Sequence, residues 1–193
     1  MKRVRQLTAN IIPVLMVITV LAPLQNIAHA NEIHFDDRVN AGDHNLIIKG
    51  TGVLRYLKFI EAYAGALYTL PGLDPGEILT DTPKRLEVEY FYTIKGEDFG
   101  PATYKGLGKY LNDEELDRLR ERIEYHNSLY KDVEPGDRYA ITYIPGVGTE
   151  LSLNGQPLGM IEGEDFASAL FALWLGEKPF DKRFKADLLG LDG

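Results

Sequence analysis

The chain has 193 residues, with 21 basic against 29 acidic side chains, a net charge of −8 and no cysteine. Disulfide frameworks and thiol chemistry are thereby excluded, and the acidic balance argues against nucleic acid or anionic membrane surfaces as partners. One domain's worth of chain remains, long enough to bury an ordinary core by packing alone.

The N-terminus carries three cations, Lys2, Arg3 and Arg5, followed by an apolar run over residues 11–24 interrupted by Pro13 and Pro23. A membrane-spanning helix needs roughly 20 apolar residues, so this run is too short and broken to anchor comfortably. It leads into Ala28-His29-Ala30, the small-x-small pattern of a signal peptidase site. Residues 1–30 are therefore read as a cleaved secretory signal, with an uncleaved anchor as the alternative. Residues 31–193 form the mature domain, periplasmic or secreted, without stable membrane insertion once the signal is gone. The leader holds three of the 21 basic and none of the 29 acidic residues, so the mature domain stands at −11.

After a polar start, residues 46–69 mix β-branched and aromatic side chains with glycines, predicting two strands turned near Tyr56 to Lys58. Ile60, Ala62, Ala64 and Ala66 share one face of the second strand, and this row of small side chains suggests a helix packed close against it. In residues 85–92, apolar Leu86, Val88, Tyr90 and Tyr92 alternate with Arg85, Glu87 and Glu89, the pattern of a half-buried strand. Residues 96–111 have helical spacing weakened by Pro101 and glycines. Asn112, with Glu114 and Glu115 behind it, caps a second helix striped by Leu116, Leu119, Ile123 and Leu129.

Tyr139, Ile141 and Tyr143 predict a strand that turns at Pro145-Gly146. Asn154-Gly155 then sits between Leu151, Leu153 and Leu158, Ile161, and tolerates the positive φ angles of a tight hairpin. From Gly163 the chain becomes a helix apolar on every side, with Glu164 and Asp165 at its N-terminus and Trp174 near its end. It is the natural centre of the core. Phe184, Leu188 and Leu189 predict a short last helix. Segregated runs of strands and helices argue an α+β fold, a large antiparallel sheet covered by helices on one face.

Few residues carry chemistry outright. Of the four histidines, His29, His34, His44 and His126, none has metal-ligand spacing, and all read as solvated. Glu162, Glu164 and Asp165 are explained by a helix N-terminus, and residues 113–124 by a solvated helix face with i,i+4 pairs. Gly146-Val147-Gly148 lacks a dinucleotide fingerprint, and no serine has a nucleophile-elbow context. Neither a metal nor a cofactor is expected.

GTGVLRYLKFIEAYAGALYT over residues 50–69, followed by LNGQPLGMIEGEDFASALFALWLGEKPFD over residues 153–181, resembles the bacterial chalcone isomerase-like proteins. The resemblance implies an open-faced β-sandwich of chalcone isomerase type, with a cleft between sheet and helices. Plant chalcone isomerases cyclise a chalcone with an arginine assisted by a tyrosine, an asparagine and hydroxyl residues. The arginine matches Arg55, and Tyr63 falls near the family's threonine. Phe99 falls at the catalytic tyrosine, Gly106 at the asparagine and Leu173 near the late Ser/Thr position. An electrophilic arginine without its hydrogen-bonding partners stabilises little of a transition state.

The leading expectation is an exported, non-catalytic protein that binds a small amphiphilic molecule such as a fatty acid. Arg55, Tyr63, Tyr68 and Phe99 are its candidate ligand-binding residues, and no catalytic residue is assigned. Two alternatives are an intramolecular lyase or isomerase on another substrate, and a protein-interaction module whose cleft is filled by Phe59, Phe99 and Trp174.

Overall fold

The computed structural model describes residues 33–56 and 60–191; the expected leader, and Phe59, lie outside the described residues. Seven strands form one antiparallel sheet in sequence order: β1 (Arg38–Ala41), β2 (His44–Tyr56), β3 (Ile60–Thr69), β4 (Lys84–Tyr90), β5 (Arg138–Ile144), β6 (Gly148–Leu153) and β7 (Gln156–Ile161). Helices α1 (Gly96–Leu107) and α2 (Asp113–Ser128) lie between β4 and β5, and α3 (Glu164–Leu175) and α4 (Lys182–Leu189) follow β7. The architecture is α+β as expected, with the helices on one face. The sheet curls so far that β1, at its edge, comes up against β5 across the other face.

Local chemistry sets most of these boundaries. Asn154 and Gly155 both take positive φ, 51° and 77°, which turns β6 into β7 with the twist a two-residue hairpin requires. Asn112 accepts from the Glu115 N–H at 3.0 Å while the Glu115 carboxylate accepts from the Asn112 N–H at 2.9 Å, a reciprocal cap that starts α2. Asp181 caps α4 by accepting from the Phe184 N–H at 2.7 Å, and Gly190 ends that helix in the left-handed region at φ 65°.

The main core lies between sheet and helices, where Leu67, Leu86, Val88 and Ile141 meet Phe171, Leu170 and Phe184. α3 is buried along nearly its whole length, as its all-round apolarity predicts. α4 packs on β2 and β3, but on the glycine face rather than on the alanine face the sequence suggested. A Cβ at Gly50 would lie 2.3 Å from the Asp187 carbonyl oxygen, and one at Gly65 would lie 2.6 Å from the Phe184 ring. Ala64 and Ala66 look the other way, and Ala66 belongs to a smaller cluster with Ala41, Leu46 and Tyr68.

Two buried groups depart from what their residue types suggest. Lys84 is fully buried, its ammonium donating to the Thr80 and Thr82 carbonyls at 2.9 and 2.7 Å and lying 4.6 Å from the Tyr143 ring centroid. Burial pulls its pKa down to about 8, against the opposing pull of Asp81 and Glu164. His126, expected in solvent, is instead buried between Tyr130 and Phe166. Neither ring nitrogen finds a hydrogen-bond partner among the described residues. Burial lowers its pKa to about 4, with the neighbouring Asn127 side chain opposing, so the ring is neutral near pH 7.

Candidate functional site

Register brings one set of tyrosines together. Leu54 on β2 stands opposite Tyr63 on β3, Tyr63 opposite Tyr90 on β4, and Val88 beside Tyr90 on its strand stands opposite Tyr139 on β5. These odd-numbered positions of β3 and β5 face the helices. Above them α1 supplies Phe99 and Thr103, α3 supplies Leu173 and Trp174, and the chain after α2 supplies Tyr130. Between floor and roof lies a cavity of about 240 Å³, with Tyr92 and Phe180 as its solvent-exposed aromatic rim.

Aromatic contacts fix the walls. The Phe99 ring stacks on Tyr130 with centroids 4.6 Å apart, and meets Tyr90 and Tyr139 edge-on at 5.7 and 5.6 Å. Tyr139 is anchored at its hydroxyl, which accepts from the Lys131 N–H at 2.7 Å and donates to the Lys131 carbonyl at 3.0 Å. The Trp174 indole N–H donates to the Tyr63 hydroxyl at 3.1 Å. An indole nitrogen only donates, so the Tyr63 oxygen is the acceptor and its own proton stays available to a ligand.

The described lining carries no formal charge. Among the described residues lining the cavity there is no carboxylate, imidazole, ammonium or guanidinium. Burial pushes the phenols of Tyr63, Tyr90, Tyr130 and Tyr139 above their ordinary range, so each is protonated near neutrality. Thr103 donates to the Phe99 carbonyl at 3.0 Å within its own helix. The cavity can bury apolar surface and offer phenolic hydrogen bonds.

The four residues singled out from sequence are not all gathered here. Tyr63 and Phe99 line the cavity. Arg55 directly follows the lining residue Leu54 on β2 and stands opposite Glu61 beyond a bulge, so its side chain leaves the strand on the face opposite to Leu54, and neither Arg55 nor Glu61 is among the lining residues. Its Nη2 donates to the Glu61 carboxylate at 2.7 Å in a partly exposed pair. Tyr68 is the correction. It stands at an even position of β3, faces away from the helices, and buries its hydroxyl without a hydrogen-bond partner among the described residues. Tyr90, Tyr130, Tyr139 and Trp174 were not proposed as site residues; the first and third sit on strands already read as half-buried, and their strand parity matches that of Tyr63.

Two of the positions aligned with catalytic polar residues occupy one another's space. A Cβ at Gly106 on α1 would come within 2.5 Å of Leu173 Cδ2 on α3 and 3.0 Å of the Phe180 ring. The glycine and the leucine are thus a matched apolar pair where the resemblance expects an asparagine and a hydroxyl. A separate polar hollow of about 450 Å³ lies on the opposite face of the sheet, lined by Asp36, Arg38, Arg85 and Glu87. Its Arg85 is already paired with Glu87 at 2.9 Å.

The fold is found in known structures. A crystal structure of a fatty-acid binding protein of Arabidopsis thaliana superposes with a TM-score of 0.60 at 19% identity, covering 80% of this chain and 90% of that one. No curated protein matches the chain in sequence. The sequence profile of the chalcone isomerase-like family matches residues 28–190, from the end of the expected leader through the last helix. Matched over nearly all of its described length, the chain belongs to the chalcone isomerase-like family.

Proposed function

We propose that the protein is an exported, non-catalytic binder of a small amphiphilic molecule such as a fatty acid, its tail in the tyrosine-lined cavity and its carboxylate at Arg55. The observation that carries this reading is the composition of the cavity wall, apolar and phenolic, with the buried phenols of Tyr63, Tyr90, Tyr130 and Tyr139 held protonated. Acid–base catalysis near neutrality calls for a group whose pKa lies close to the working pH. Tail burial, by contrast, needs only apolar surface and contributes about 0.8 kcal/mol for each CH₂ taken out of water. Arg55 adjoins the lining residue Leu54 at the end of β2 and offers a planar fork suited to a carboxylate, for which Glu61 now stands in. The Arabidopsis protein of the same fold, named for fatty-acid binding, supports the ligand class.

Trp174 is the only tryptophan of the chain and lies in the cavity wall, so it reports on occupancy directly. Titration with a medium-chain fatty acid is expected to change its emission saturably and to release or absorb heat in calorimetry. Unchanged emission together with no heat overturns the binding reading. Export rests on the charged, apolar and small-x-small succession of residues 1–30. N-terminal sequencing of protein recovered outside the cytoplasm is expected to begin at Asn31, and an intact Met1 chain in the membrane fraction contradicts it.

A further inference from the structure

We propose that Leu173, seated over Gly106 in the cavity roof, sets the length of the bound tail and restricts the protein to short and medium-chain acids. This inference rests on the binding reading above and adds a substrate class to it. Its first observation is size. The cavity holds about 240 Å³, below the roughly 300 to 1,000 Å³ of common small-molecule sites. Set beside an apolar cavity of about 150 Å³ that takes up the six carbons of benzene, the space suits a tail of about eight to ten carbons. An acid of sixteen carbons would have to leave half its tail outside or force the roof apart.

The second observation is what the roof is made of. Leu173 is buried, lines the cavity, and places its Cδ2 only 2.5 Å from where a Cβ on residue 106 would stand. With glycine there, α1 comes down onto Leu173 and Phe180, and the volume a side chain at 106 would have claimed is held by the leucine. The Phe180 N–H donates to the Leu173 carbonyl at 2.8 Å, and the Phe180 ring meets Trp174 edge-on at 5.7 Å, so the leucine is fixed from both its backbone and its neighbours. Packed interiors of this kind relax only partly when a side chain is shortened, so truncation leaves space behind. Leu173→Ala removes three carbons from the roof, and Leu173→Val one.

The test is a calorimetric series of saturated acids from about six to eighteen carbons against wild type, Leu173→Val and Leu173→Ala. Wild-type affinity is expected to peak near eight to ten carbons and to fall roughly tenfold by sixteen. The optimum is expected to move up by about one carbon in Leu173→Val and by two or three in Leu173→Ala, a shift that mere loss of stability does not produce. Wild-type affinity that keeps rising through sixteen carbons overturns the length limit while leaving the binding reading intact. An unmoved optimum in folded Leu173→Val overturns the role of Leu173 even if Leu173→Ala fails to fold. Absence of binding at every length overturns the binding reading itself, and this proposal with it.

Discussion

The two faces of the sheet are built from the same strands yet solve opposite problems. On the helix side, β3, β4 and β5 present Tyr63, Tyr90 and Tyr139 to a neutral cavity. On the other side, β4 and β5 present Arg85, Glu87, Glu89 and Arg138, which neutralise one another. Arg138 donates to Glu87 at 3.2 Å, to Glu89 at 2.5 Å and to the His34 carbonyl at 2.9 Å, with the Phe35 ring 4.5 Å from its guanidinium carbon. Arg85 donates to Glu87 at 2.9 Å and to Thr142 at 3.1 Å. A charge with that many fixed partners is structural, because a ligand anion would have to displace all of them. Among the described residues Arg55 has one partner, Glu61, in a partly exposed pair. The comparison teaches that the count and burial of existing partners, more than the presence of an arginine, separates a scaffold cation from one that can meet a ligand.

The largest expected effect falls on the cavity side. Trp174→Ala removes a buried aromatic and the indole donor to Tyr63, and is expected to cost about 3 to 5 kcal/mol in chemical denaturation. A midpoint that barely moves would break the claim that this wall is part of the core.

Acidification tests the same side by another route. His126 has its pKa lowered from 6.5 to about 4 in the folded protein, so protons bind the unfolded chain more readily between those values. The neutral ring's contribution is complete above pH 6.5, is lost progressively as pH falls to about 4, and loses no more below that. The whole window amounts to roughly 3 kcal/mol. Denaturation midpoints measured across it should fall in wild type, and His126→Leu should flatten that part of the profile. An equal slope in both proteins would remove His126 as its source.

On the far face, Arg138→Ala leaves Glu87, whose side chain is 7% exposed, with Arg85 alone, and Glu89 without its partner. The expected loss is about 2 kcal/mol, below the range for a fully buried pair because Arg138 itself is partly exposed. Affinity for a fatty acid should be unchanged. A loss of affinity with intact folding would move the ligand to the wrong side of the sheet. Smallest of all is the stability effect of Arg55→Ala, expected within about 0.5 kcal/mol because its pair with Glu61 is exposed.

How much of this was legible in the sequence follows the range of the interactions. The Asn154-Gly155 hairpin, the Asn112 cap and the buried α3 are local patterns, and the structure has all three where their residues put them. β1 was missed because Arg38–Ala41 is short and polar and gains its place by pairing with β2 and closing against β5, contacts that no local pattern encodes. His126 was misread although it continues the stripe of Leu119 and Ile123 at helical spacing, since residue type outweighed position. The glycines of residues 46–69 argue only for strand over helix in the sequence, whereas in the structure Gly50, Gly52 and Gly65 mark where α4 approaches the sheet. For the site, Tyr63 and Tyr68 differ in strand parity, which already separates them onto opposite faces. The convergence of Tyr63 with Phe99, Tyr130 and Trp174 depends on how the helices lie on the sheet, and strand alternation carries no information about that.

The central claim is that Arg55 and the cavity form one site for a carboxylate with an apolar tail. Its most direct test is the affinity of wild type and Arg55→Ala for a medium-chain acid and for the methyl ester of that acid. Hydrogen bonds to a charged group contribute roughly 1.5 to 3 kcal/mol, so Arg55→Ala should weaken acid binding about tenfold to a hundredfold and leave the ester nearly unaffected. Arg55→Lys should recover only part of the loss, because an ammonium cannot copy the bidentate fork. Equal wild-type affinity for acid and ester, or undiminished acid binding in Arg55→Ala, would contradict the account.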